Sequence, residues 1–277
     1  MRFLERLDRA IRKNESLLCI GLDPDLERLP AHLLEGRSPA EAVLEFNRRI
    51  IEATCDLASG YKFNLAFYEA LGPEGLEALR CSVELVPPEL IAIGDGKRGD
   101  VAHTSRAYAR ALFEVLGFGA VTASPYLGLE ALEPLLSWED RGVFVLCRTS
   151  NPGAAQFQSL GCAPSGKPLY LTVAEAVARA NEQFGNLGLV VGATWPEELR
   201  QVREAVGEEP PLLIPGVGAQ AGDLELAVRY GTNSRGERAL IASSRGVIFA
   251  SSGEDFAEAA RAAALRLKDE IDRCRGV

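Results

Sequence analysis

Eight short apolar runs bounded by turn residues recur along the chain: SLLCIGLD from Ser16, GYKFNLAF from Gly60, ELIAIGDGK from Glu89, FGAVTASP from Phe118, GVFVLCRTS from Gly142, LGLVVGAT from Leu187, PLLIPGVG from Pro211 and RALIASSRG from Arg238. Continuous apolar runs of this length fit parallel strands, whose two faces are both covered. Between them stand segments such as AEAVLEFNRRIIEATCDL and YLTVAEAVARANEQF, whose apolar residues fall three and four apart, the spacing of helices that bury one face. Repeated strand–helix units require a parallel sheet, and eight of them in 277 residues favour an α/β fold of the closed (β/α)8 TIM barrel type over an open doubly wound sheet. Ahead of the first strand, Phe3, Leu4, Leu7 and Ile11 sit at helical spacing among charges. This predicts an extra amphipathic helix over residues 1–15, packed on the barrel, and not a signal peptide. No linker is visible, so residues 1–277 read as one barrel domain. The longest irregular stretches run from Pro24 to Pro39, Pro152 to Lys167 and Gly231 to Glu237. The first two follow strand ends and are expected to rim the face where barrel enzymes keep their sites.

A barrel of this kind should show its function as polar residues at the C-terminal ends of strands. The sequence supplies Asp23 after strand one, Lys62 in strand two, Asp95 and Lys97 after strand three, Ser150 after strand five, Gln220 after strand seven and Arg245 after strand eight. Side chains two apart in a strand share a face, so Asp95 and Lys97 can both point into the barrel mouth, with Gly94, Gly96 and Gly99 freeing the backbone. Lys62 inside an apolar strand needs a partner, and the carboxylates of Asp95 and Asp100 are expected to supply it. Asp23 before Pro24 also reads as an ordinary turn residue, and Asp100 in GDVAHT as a helix N-cap. Arginine does not give up its proton, whereas a buried lysine can serve as acid, base or Schiff-base nucleophile. Strand seven opens into PGVGAQAG and strand eight ends in ASSRG. Glycine-rich amides, the Gln220 amide and the Arg245 guanidinium suit a phosphate dianion, while the spacing GxGxxxG is a poor dinucleotide-binding match.

Composition narrows the partners. With 30 Lys+Arg against 39 Asp+Glu the net charge is −9, which argues against nucleic-acid or anionic-membrane partners. A chain 47% apolar and 25% charged is neither disordered nor fibrous. No apolar run approaches the ~18 residues of a membrane helix. The six cysteines form no CxxC pair, and they read as free buried thiols in a reducing, cytoplasmic setting. Neither His32 nor His103 accompanies a nucleophile motif, so both read as surface residues and a Ser-His-Asp hydrolase is disfavoured.

Together, DGKRGD from Asp95 to Asp100, YKFN before it and PGVGAQ after it resemble the orotidine 5′-phosphate decarboxylase family, in its longer bacterial branch. The likeness runs from GLDPD at Gly21 to SSRG at Ser243. It implies a homodimeric barrel that converts orotidine monophosphate to UMP and CO2 in de novo pyrimidine biosynthesis, without cofactor or metal. The family's alternating array of Lys and Asp maps onto Lys62, Asp95, Lys97 and Asp100, the last expected to enter the partner's site together with Thr104. Its ribose-binding aspartate falls on Asp23, its pyrimidine-contacting serine on Ser150, and its phosphate ligands on Gln220 and Arg245. Ser244 joins that set, standing where many relatives have glycine.

On this reading the Lys97 ammonium stabilises a carbanion at pyrimidine C6 and protonates it, Asp95 sits near the departing carboxylate, and Lys62 and Asp100 hold Lys97 in place. The nearest alternative is a metal-dependent sugar-phosphate decarboxylase or synthase of the same superfamily. Those resemble the chain in D-x-K-x-x-D but carry an acidic metal ligand where Lys62 stands. A Schiff-base aldolase is disfavoured because flanking carboxylates keep a lysine protonated. A non-catalytic phosphate-binding barrel has no use for four alternating charges that are costly to bury.

Overall fold

The computed structural model describes residues 1–217 and 223–276. All eight apolar runs form strands: β1 (Leu18–Leu22), β2 (Gly60–Asn64), β3 (Ile91–Arg98), β4 (Ala120–Ala123), β5 (Gly142–Arg148), β6 (Leu187–Val191), β7 (Leu212–Pro215) and β8 (Ala239–Ser243). They pair in sequence order, all parallel. The sheet then closes on itself, β1 meeting β8 with Leu18 opposite Ile241 and Ile20 opposite Ser243. The fold is a (β/α)8 barrel, as the count of strand–helix units predicts.

The helix Pro39–Thr54 shows why the outer layer forms where it does. Ser38 caps it, accepting from the Glu41 amide while the Glu41 carboxylate accepts from the Ser38 amide, and Pro39 fits the first turn because that position needs no amide donor. Its buried face carries Val43, Phe46, Ile50 and Ile51. Phe46 stacks on Phe256 and Phe249 at centroid distances of 5.2 and 5.6 Å, joining this helix to the closing helix Phe256–Arg275. The opening helix α1 (Phe3–Asn14) buries Phe3, Leu7, Ala10 and Ile11. Phe3 meets Phe144 of β5 edge-on at 6.0 Å.

Several local expectations change. The stretches after β1 and β5 are not irregular throughout: they hold short helical turns at Leu26–Arg28 and Ala31–Leu34, and at Pro152–Ala154 and Ala155–Gln158. Gly231 closes the helix Leu224–Gly231 instead of opening a loop. Only Cys19 and Cys147 are buried; Cys55, Cys81, Cys162 and Cys274 are half-buried. His103 is exposed as expected, but His32 is half-buried, its ring 6.0 Å from Phe256. The turn Ala31–Leu34 folds that polar-looking loop back against the aromatic cluster. Among the described residues no helix is long and apolar enough to cross a membrane, and no cluster of three His, Cys, Asp or Glu has the arrangement of a metal site.

Candidate active site

The C-terminal ends of β1, β2 and β3 bring four charges together. Register places Gly21 beside Lys62 and Asn64 beside Asp95, so Asp23, Lys62 and Asp95 converge at the barrel mouth. Lys62 Nζ donates to Asp95 Oδ2 at 3.0 Å and lies 3.6 Å from Asp23 Oδ1. Lys97 Nζ donates to Asp95 Oδ1 at 2.7 Å. Asp95 thus carries one ammonium on each oxygen. The Lys62 side chain is 9% exposed and that of Lys97 47%, which separates a buried anchor from a cation facing the opening.

Burial pushes the Asp95 carboxyl up, but Lys62 and Lys97 outweigh it and hold the group at about 2. Burial alone would push the Lys62 ammonium down; Asp23 and Asp95 reverse that and hold it above its ordinary value. Both groups are therefore charged at neutral pH. Beneath them Cys19 is pushed up to about 12 by burial, so it is an inert thiol with no nucleophilic part.

The expected pairing of Lys62 with Asp100 does not occur; Asp23 takes that place. Asp100 lies beyond the end of β3, where its carboxylate accepts from the Val101 amide at 2.7 Å. Nor is Asp100 a helix cap: the helix Ala102–Ala109 is preceded by Val101 and has no side-chain cap. Thr104, in the first turn of that helix, approaches the His103 ring at 3.3 Å. Asp100 and Thr104 therefore stand outside the array within one chain.

The backbone freedom assigned to the glycines also falls elsewhere. Between Gly94 and Arg98 the β3–β4 ladder is irregular, and Lys97 itself has φ +49°. Gly94, Gly96 and Gly99 serve close packing: a Cβ there would come within 2.7 Å of the Phe118 ring, 2.8 Å of Leu65 and 2.6 Å of the Ser124 carbonyl oxygen. Across the irregularity lies Thr122 of β4, a residue that sequence reasoning missed. Its hydroxyl donates to Asp95 Oδ1 at 2.8 Å and accepts from the Lys97 amide at 3.0 Å.

Opposite the array, a cleft of about 140 Å³ runs from Asp23 and Lys62 to Gly216, Val217, Ser243, Ser244 and Arg245. Arg245 is exposed and opens the short helix Arg245–Ile248, which Ser244 precedes. Gln220 lies outside the described residues. Ser150 is half-buried just past β5. The Thr149 amide beside it donates to Gln158 at 2.9 Å, and the Thr149 carbonyl accepts from the Trp195 indole at 3.0 Å. Arg148, the last residue of β5, is 1% exposed and stacks 4.1 Å from the centre of the Trp195 ring. These contacts fasten the segment that presents Ser150.

An amine facing a mouth, braced by a carboxylate, with Lys62 and Arg245 on the cleft beside it, suits an anionic substrate. Residues 16–263 match the family model described as orotidine 5′-phosphate decarboxylase / HUMPS family. An orotidine 5′-phosphate decarboxylase of Thermomicrobium roseum is 54% identical, covering 99% of this chain and 96% of the relative. One from Dehalococcoides mccartyi is 50% identical over 99% of both chains. The structure of Leishmania donovani OMP decarboxylase superposes with a TM-score of 0.85 at 38% identity, covering 100% of both. The chain belongs to the orotidine 5′-phosphate decarboxylase family and is an enzyme of its carboxy-lyase kind.

Proposed function

We propose that the chain decarboxylates orotidine 5′-monophosphate to UMP and CO2 through Lys97, without cofactor or metal. The observation that carries this reading is Asp95 holding two ammonium groups at 2.7 and 3.0 Å, of which Lys97 is far the more exposed. The bond between C6 and the carboxylate carbon breaks, its electron pair stays on C6, and CO2 leaves. No ring π-system absorbs that pair, so a fixed cation beside C6 lowers the barrier. Lys97 then gives its proton to C6 and regains one from solvent. Asp95 keeps Lys97 aimed, and Lys62 keeps Asp95 ionised.

Asp23 binds the ribose: it lines the cleft that runs toward Arg245, and its side chain is partly exposed there, so its carboxylate can accept from a hydroxyl. Ser150 contacts the pyrimidine, and Gln220, Ser244 and Arg245 hold the phosphate, whose binding energy supports closure over the ring. The enzyme acts as a homodimer in the cytoplasm, in de novo pyrimidine synthesis. Asp100 and Thr104 reach the partner's site, consistent with their standing outside the array and with the exposed Val101 next to them. The metal-dependent alternative fares worse, because buried Lys62 occupies the position where that reading needs an acidic ligand.

The test is the fall in orotidine monophosphate absorbance on adding enzyme treated with EDTA. Wild-type protein turns the substrate over and Lys97→Ala loses at least a thousandfold in kcat, on the order expected for an electrostatic group that also transfers the proton. Near-normal turnover by Lys97→Ala, or activity abolished by EDTA alone, would overturn the reading.

A further inference from the structure

The β3–β4 ladder pairs Gly94 with Val121 and then Arg98 with Ala123, so Asp95, Gly96 and Lys97 face the single residue Thr122. Such a bulge aims side chains that a regular strand would not, and it leaves amides without ladder partners. Lys97 lies within it at φ +49°, a left-handed conformation that residues with a Cβ adopt only at a cost. Something must hold it there.

We propose that Thr122 is a positioning residue for the decarboxylation, its hydroxyl standing in for the missing ladder acceptor and binding Lys97 and Asp95 into one unit. Thr122 is 1% exposed. Its Oγ1 accepts from the Lys97 amide at 3.0 Å, and because that partner is a donor the hydroxyl proton is left for Asp95 Oδ1 at 2.8 Å. The same Oδ1 accepts from Lys97 Nζ at 2.7 Å, so main chain, side chain and carboxylate of the array close around one hydroxyl. When Lys97 hands its proton to C6 it gives up its charge-assisted bond to Asp95. The Thr122 hydroxyl and Lys62 remain, and Asp95 keeps its place for the return of the proton. Among the described residues Thr122 is not part of the lining of the cleft toward Arg245, so its effect falls on kcat and not on substrate binding.

This inference rests on the decarboxylase reading, and its test separates the two. Thr122→Val keeps the branched shape and removes the hydroxyl; Thr122→Ser keeps the hydroxyl and removes a methyl. We expect Thr122→Val to lower kcat by on the order of 10- to 100-fold, the scale of a hydrogen bond to a charged group, with KM changed less than about threefold. Thr122→Ser should recover most of that loss. Amide hydrogen exchange reads the geometry without substrate: protection at the Lys97 amide should fall about tenfold or more in Thr122→Val and be kept in Thr122→Ser. Unchanged exchange at Lys97 in Thr122→Val overturns the proposal, whether or not the enzyme turns over orotidine monophosphate. Equal loss of kcat in the Val and Ser variants overturns it as well, because the methyl and not the hydroxyl would then matter. If the wild-type protein fails to decarboxylate, the functional reading falls, while the exchange measurement still judges how Lys97 is held.

Discussion

Lys62 has carboxylates on two sides and almost no water, so it is worth most as the partner that keeps Asp95 and Asp23 from facing each other unpaired. Removing one member of a buried ion cluster strands the others, and Lys62→Met should cost about 3 kcal/mol or more in urea unfolding. A cost under 1 kcal/mol would mean that the buried charges are already compensated elsewhere. The pH dependence follows from the same geometry. Asp95 sits lower in the folded protein, at about 2, than the ~3.9 of an unfolded chain, so its contribution is complete above about pH 4 and is lost as the pH falls toward 2. Lys62 sits higher when folded than its unfolded value near 10.4, so its contribution is complete below about pH 10 and is lost above it. The difference in melting temperature between wild type and Lys62→Met should therefore be level from pH 5 to 9 and shrink below pH 4; a slope across neutrality would show that one of these groups titrates there. The sequence made Lys62, Asp95 and Lys97 legible because charges at the ends of apolar strands are costly unless they are used. Thr122 was not legible, since a threonine in a strand is ordinary and its hydroxyl gains meaning only once register sets it across from Asp95 and Lys97. Partner choice was hidden for the same reason: Asp100 is near Lys97 in sequence, but Asp23 is near Lys62 in space.

At the scale of elements, the ends of β1 and β8 constrain each other. A Cβ on Gly21 would lie 1.8 Å from the Ser244 Oγ and 2.8 Å from its Cβ, and turning the Ser244 hydroxyl away relieves only the first of these overlaps. Gly21→Ala should push the turn before Arg245 outward and raise KM for the phosphate-bearing substrate about tenfold or more, in the range of overpacking costs. Ser244→Gly removes both the Oγ and the Cβ at 2.8 Å and leaves only the Ser244 Cα at 3.4 Å, ordinary contact. The double variant should then regain most of the lost affinity, a coupling that separate defects would not show. Additive losses in the steady-state KM values would refute it. Serine at 244 and glycine at 21 are thus one packing decision, which the sequence does not show because the two stand far apart along the chain. Strand positions were legible because burial on both faces writes itself into composition. The short helical turns after β1 and β5 carry too few residues to show a periodicity, and a loop and a four-residue turn look alike in sequence.

Across the whole molecule the two ends of the barrel divide the work. A net charge of −9 describes the surface, while the mouth collects Lys62, Lys97 and Arg245 for a substrate that is itself an anion. At the opposite end, Arg203 is buried and donates to the carbonyl oxygens of Gly207, Pro210, Gly231 and Arg238 at 2.7 to 3.2 Å, tying the residues that lead into β7 and β8. Burial pushes its guanidinium down to about 10, which still leaves it charged at neutrality. Lysine has one nitrogen and cannot span four carbonyls, and leucine removes the side-chain donor from all of them, leaving the Arg238 carbonyl with only the Leu212 amide. Arg203→Lys and Arg203→Leu should each lose about 2–4 kcal/mol, lowering the melting temperature by roughly 4–16 °C at the ~2–4 °C per kcal/mol typical of domains this size. Because this end of a barrel serves stability and the other serves chemistry, kcat and KM measured well below the transition should stay at wild-type values. A fall in kcat that tracks the fall in melting temperature would mean that strain at the barrel floor reaches Lys97, and that the two ends are not independent.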